Sequence, residues 1–419
     1  SGKGESSVAG ATANLVNCVV GAGIIGLPAA VNQCGFFMGG ICLGAVAYLL
    51  CRSAIYLVEC GEKLDKHNFE SMAEHLFGPI GYYVTTASMA TFAYGGMTAY
   101  MVILGDTLPP VFSLFVEDET YSSRAFLVLM SATFLMLPIC MLKSLSDMVW
   151  ASTLSVLADA ALICIILAEG PQEADRQGIE LKADHISFIQ PGIFAGIGTM
   201  SFAFVMHHNS FIIYKSLKNP TLRNWTRVTQ YSAFIALVFA LTLGLGGYLI
   251  FNTEIEGDVL NNFESTGPAV TIGKVLLALC MLLTYPVECF IARHCLTVAN
   301  VSLRGDHSFF RSDTWHVLVT IMLWGSSTLL SLVFTDLEIV LSFTGCIAAS
   351  MLGYILPAMM YFATNREDVQ VDVATWNSSS LSYEPSLRAR IRNVKKYFVP
   401  FILFVFGVCV MFIGLSTIL

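Results

Sequence analysis

Apolar residues in this chain gather into long blocks separated by short polar stretches. The blocks are close to the length needed to cross about 30 Å of hydrocarbon. Eleven spans are read: 8–32, 37–58, 80–104, 123–142, 147–168, 191–214, 228–251, 267–298, 314–334, 337–363 and 396–418. The sixth and tenth are more interrupted than simple anchors, and the eighth is long enough to run obliquely. The pattern predicts an all-α polytopic membrane protein. Between the second and third blocks, EKLDKHNFESMAEHLFG (62–78) has the make-up of a short interfacial helix. Residues 364–395, with VATWNSSSLSYEPS, read as a polar loop.

Composition agrees. Of the residues, 55% are hydrophobic and 12% charged, and the mean hydropathy is +0.69. A soluble chain would carry about twice that charge. The polar opening SGKGESS runs straight into the first span, so no cleavable signal peptide is expected, and a start on Ser1 suggests a trimmed N-terminal tail.

Charge then orients the spans. Seventeen of the 22 basic residues fall on one set of alternate loops, four on the other, and Arg52 within a span. Basic residues favour the cytoplasmic side, so the N-terminus is expected inside and the C-terminus outside or in an organelle lumen. The opposite loops are acidic, with EDE at 117–119 and Glu254, Glu256, Asp258 and Glu264 together. The net charge of −8 therefore belongs mostly to outer loops and implies no nucleic-acid partner. All 12 cysteines lie in or beside spans, which excludes a disulfide framework in the long outer loops. No clustered metal-ligand spacing, nucleophile elbow or P-loop points to an enzyme, and no charged ring or filter-like repeat points to a channel.

One motif argues against itself. GAGIIG (21–26) matches the dinucleotide fingerprint, which needs an acid about 20 residues later for the ribose. The first acid after it is Glu59, about 33 positions past Gly26, at the end of an apolar span. The glycines need another explanation. Gly21, Gly23, Gly26 and Pro28 make a poor continuous helix, since glycine costs about 1 kcal/mol and proline about 3 in a helix interior. Broken backbone at membrane depth is tolerated where it is buried in protein or lines a watery cavity. There it offers free N–H and C=O groups to a ligand.

Transporters of this design are inverted repeats, so a second break is expected five spans later. The sixth span supplies one in PGIFAGIGTMSFAFVMHHNSFIIYKSL, with Gly192, Gly196 and Gly198. The expected architecture is a single transporter domain: a five-helix repeat (8–168), its inverted partner (191–363) and an eleventh helix (396–418).

NLVNCVVGAGIIGLPAAVNQCG, FAFVMHHNSFIIYKSL and LLTYPVECFIARH, in that order, resemble the amino acid/auxin permease family, most of all its sodium-coupled neutral amino acid transporters. The resemblance covers all eleven spans. It implies the broken-helix fold of the amino acid–polyamine–organocation superfamily, alternating access and secondary transport of amino acids. It also implies that backbone at Gly21, Ala22, Gly23, Ile24, Ile25 and Gly26, with Ser201, Phe202 and Phe204 opposite, holds the substrate. Asn17 and Thr284 would then serve Na⁺, with no other cofactor. The outer loops lack the cysteines that many members pair there.

Four titratable residues inside spans remain candidates for coupling or pH response. Acids in membrane spans are costly and therefore functional candidates; these are Glu288, one turn after Thr284, and Asp159. For Glu288 the alternative is a pair with Arg293; for Asp159 it is a structural bond to a neighbouring helix. His207 and His208 titrate near physiological pH, or simply bond to polar neighbours such as Asn209. The expected partners are a small amino acid and the bilayer, with the protein a monomer. Left open are Na⁺ against H⁺ coupling, the particular amino acid, plasma membrane against lysosome or vacuole, and a sensing rather than a transporting role.

Overall fold

Helix fills most of each apolar block in the computed structural model. It describes residues 6–366 and 387–419, apart from residues 22, 117, 143–148, 181–185, 265–266 and 305–307. The helices are α1 (Val8–Val20), α2 (Leu27–Cys34), α3 (Phe36–Leu64), α4 (Phe69–Phe112) and α5 (Arg124–Cys140). They continue as α6 (Val149–Arg176), α7 (Ile193–Phe204), α8 (His207–Ser216), α9 (Leu222–Phe251), α10 (Pro268–Arg304) and α11 (Asp313–Val333). Last come α12 (Leu337–Thr364) and α13, the latter over Leu387–Ile418. Among the described residues, eight helices are long and apolar enough to cross a membrane, and α1 and α2 form a further pair bent by 47°.

Most helices outrun the apolar blocks at one or both ends. The stretch 62–78 is divided rather than one helix. Glu62–Leu64 finish α3, Asp65 turns left-handed at φ 51, and helix resumes at Phe69. Gly78, at φ 67 and ψ −160, then breaks α4 just before Pro79. Of the expected polar loop, residues 367–386, including all of VATWNSSSLSYEPS, lie outside the described residues.

The core is built by α4 against α10, α3 against α9, and α1 against α9, while α2 and α12 both pack on α7. Thus the two interrupted spans lie inside a shell of continuous ones. On the acidic side the molecule is closed. The Gln33 amide at the end of α2 donates to the Glu338 carboxylate at the start of α12, and Leu341 covers Gly26.

The acidic loop between α9 and α10 is stapled by charge. Lys274 is buried, donates to the Phe263 carbonyl at 3.3 Å, and sits near the Asp258 and Glu173 carboxylates. Asp258 accepts the Leu260 N–H at 2.8 Å. Burial pushes its carboxyl up to about 6, against the pull of that N–H and of Lys274. A folded pKa above the unfolded value means the folded state holds the proton more tightly. That contribution is therefore present at low pH and lost as pH rises from about 4 through about 6. Asp258→Asn keeps the capping oxygen and should flatten thermal unfolding midpoints between about pH 4 and pH 7. An unchanged pH slope in the variant would count against this assignment.

Candidate functional site

The first break begins where α1 ends. Gly21 leaves helical geometry at φ −51 and ψ −143, and the Ile24 N–H donates to the Gly21 carbonyl at 3.1 Å. A short turn over Ile24–Gly26 then leads into α2. The second break lies later than the sequence suggests. Ser201–Phe204 are still helical, and the chain opens at Val205 (φ −71, ψ 120) and Met206 (φ −122, ψ 3). The glycines of α7 do not open it; they let it approach its neighbours. A Cβ on Gly196 would stand 2.6 Å from the Ala30 carbonyl oxygen, and one on Gly198 would stand 2.9 Å from that of Ser342.

The two interrupted spans meet at Gly23, where a Cβ would lie 2.6 Å from Cα and Cβ of Ala203. Beside this contact is a small cavity lined by Cys18, Val19, Gly21, Gly23, Phe92, Gly96, Tyr100, Phe202, Ala203 and Glu288. Its volume is about 20 Å³, room for one water molecule. The ring of Phe92 lies tilted against Phe202 at 5.1 Å and against His208 at 4.9 Å between centroids. Glu288 is buried; its Oε1 lies 3.8 Å from His208 Nε2, and its Oε2 has no hydrogen-bond partner.

Of the residues expected to bind substrate, Gly21, Gly23 and Phe202 line this cavity. Ile24 and Ile25 are packed in the core, and Gly26 faces Leu341 and Thr199. Ser201 is turned away: its hydroxyl donates to the Ile197 carbonyl at 2.7 Å and lies 2.9 Å from the Tyr354 hydroxyl. Phe204 is buried in the core. Ala22 lies outside the described residues.

The other candidates separate in the same way. The Asn17 side-chain oxygen is buried without a partner. The Thr284 hydroxyl donates to the Cys280 carbonyl of its own helix, and no hydrogen bond between Asn17 and Thr284 is found among the described residues. Glu288 is not paired with Arg293, whose guanidinium donates to the Cys140 carbonyl at 2.7 Å and the Thr320 hydroxyl at 2.8 Å. His207 Nε2 lies 3.1 Å from the Ser53 hydroxyl, facing α3. Asn209 donates to the Cys18 sulfur at 3.4 Å rather than bonding to the histidines. Asp159 is buried, with one carboxylate oxygen unpartnered. Among the described residues no group of three or more His, Cys, Asp or Glu could hold a metal ion.

One wall of the cavity lies outside the expected site. Phe92, Gly96 and Tyr100 recur every fourth residue on α4 and so share one face. A Cβ on Gly96 would be 3.5 Å from Glu288 Cγ, so the glycine makes room for the acid. A small residue between two aromatics at this spacing is the available signal.

A far larger concavity lies elsewhere. It is a bowl of about 1030 Å³ among the acidic loops, lined by Glu173, Glu180, Glu254, Glu256 and Glu264 with Arg176. It touches neither break and shares no lining residue with the small cavity at Gly23.

The family model described as transmembrane amino acid transporter protein matches residues 4–419. The chain is 30% identical over 371 residues to a Danio rerio protein provisionally named sodium-coupled neutral amino acid transporter 11, covering 87% of this chain and 80% of that one. It is 29% identical to vacuolar amino acid transporter 2 of Saccharomyces cerevisiae, over 84% of this chain and 75% of that one. In fold it is similar to a nucleobase-cation-symport-1 family transporter in a closed conformation with bromovinylhydantoin bound. The TM-score is 0.63 at 11% identity, over 99% of this chain and 93% of the other.

Proposed function

The chain belongs to the transmembrane amino acid transporter family, and we propose that it moves neutral L-amino acids by alternating access, coupled to Na⁺. The observation that carries this reading is the meeting of the two broken spans at Gly23 and Ala203 beside a small cavity. Backbone carbonyls at the end of α1, where Gly21 lines the cavity, suit an ammonium group. Phe92, Phe202 and Tyr100 then supply an apolar wall for an uncharged side chain. The closed acidic face is one half of an alternating-access cycle, in which a closed cavity opens to one side at a time.

Na⁺ is supported by the unpartnered oxygen of Asn17 and by the name of the Danio rerio relative. Thr284 contributes a hydroxyl oxygen whose lone pairs stay available while it donates to Cys280. If these two residues hold the ion, Asn17→Ala or Thr284→Ala should raise the Na⁺ concentration for half-maximal uptake about tenfold, the effect of losing about 1.4 kcal/mol. The measurement is uptake of labelled amino acids into proteoliposomes with Na⁺ and pH gradients imposed separately.

A second reading rests on Glu288, whose unpartnered oxygen belongs to a residue lining the cavity. Uptake indifferent to Na⁺, driven by a pH gradient and lost in Glu288→Gln would replace Na⁺ by H⁺. No uptake of any amino acid under either gradient would remove the transport reading.

A further inference from the structure

A second cavity, of about 430 Å³, opens on the side away from the acidic loops and ends at His208. Its mouth carries Glu70 and His294, 3.7 Å apart, and Met89 and Phe290 line its depth. On α4 it reaches Met89, while the central cavity begins at Phe92. On α10 it reaches Phe290, while the central cavity begins at Glu288. Three residues of helix rise about 4.5 Å, so the partition is less than one turn thick. The side chain spanning that partition is His208. It lines the second cavity and touches both Phe92 and Glu288, which line the first.

We propose that His208 is the gate between the central cavity and this vestibule. The proposal rests on the central cavity being the substrate site. Because His208 follows the break at Val205 and Met206, a modest turn about that unwound backbone swings the imidazole off Phe92 and Glu288. The two cavities then join into one passage. Closure on the acidic face needs no such hinge, since Gln33 and Glu338 hold it through regular helix ends.

The protein carries its own probe, because Cys18 lines the central cavity. Purified protein is treated with a small water-soluble maleimide, and alkylation of Cys18 is followed by mass spectrometry. His208→Ala should speed labelling at least about tenfold, whereas His208→Phe, which keeps a ring in place, should stay at or below the parent rate. Cys289 and Cys295, both buried, should remain unlabelled; their modification in His208→Ala would mean unfolding, and His208→Ser, also small but polar, then decides by the same comparison. Unchanged Cys18 labelling in a folded small-residue variant overturns the gate. If labelling behaves as expected but the parent transports no amino acid, the gate stands and the transport reading falls.

Discussion

Gly23→Ala should abolish amino acid binding, while Gly21→Ala should leave it within about threefold of the parent. The two glycines look alike in GAGIIG, but their surroundings differ. A methyl group on Gly23 would lie 2.6 Å from Cα and Cβ of Ala203, and 3.2 Å from its backbone nitrogen. Backbone on the far side leaves no flexible side chain to yield, so the two interrupted spans must separate. Overpacking of this kind costs about 1–3 kcal/mol, which a domain of this size survives with a lowered melting temperature. The displaced breaks would no longer converge on the cavity. A methyl group on Gly21 would meet the Tyr100 hydroxyl at 3.7 Å and the Asn17 carbonyl at 3.8 Å, which is ordinary contact. Substrate-induced thermal stabilisation measures both. Parental stabilisation in Gly23→Ala would show that the close approach has no part in binding, and equal loss in both variants would show that exposed backbone at Gly21 matters more than packing.

Gly345→Ala should yield no well-behaved folded protein. Gly345 of α12 faces Gly198 of α7, and an added Cβ would overlap the Gly198 carbonyl. Both surfaces are backbone, so relief requires moving a whole helix; the penalty exceeds the usual range for an extra methyl. The wide-turned segment Gly345–Ala349 places α12 against α7 here, and wide turns often mark functional positions. Gly325→Ala is the control, because a Cβ there meets nothing within 4 Å and the substitution favours helix. Monodispersity and unfolding temperature in detergent separate the two. A Gly345→Ala protein as stable as Gly325→Ala would refute the packing argument.

These glycines also mark the limit of sequence reasoning. Four breakers in eight residues locate the first interruption, because a continuous helix cannot easily include them. The same logic places the second interruption too early: the glycines of α7 serve helix approach, and the chain opens at Val205–Met206, where no breaker stands. Glycine in a membrane span reports either close packing or freed backbone, and the local sequence does not say which. Glu288 is legible as an unusual acid, but its neighbour is not. Arg293 stands five residues on, yet it is satisfied by Cys140 and Thr320, while His208, eighty positions away, lies beside the acid.

By itself the sequence determined the membrane class, the positions of the long apolar helices and the presence of two interrupted segments, because hydrocarbon length and backbone satisfaction are rules each segment obeys alone. Only the tertiary structure decided which residues share a cavity. Phe92, Gly96 and Tyr100 of α4 face Glu288 of α10 and Phe202 of α7, and Ser201 points instead at Tyr354. Which face of a helix meets which neighbour depends on crossing geometry and close packing among distant segments, and a helix carries no local mark of its partner.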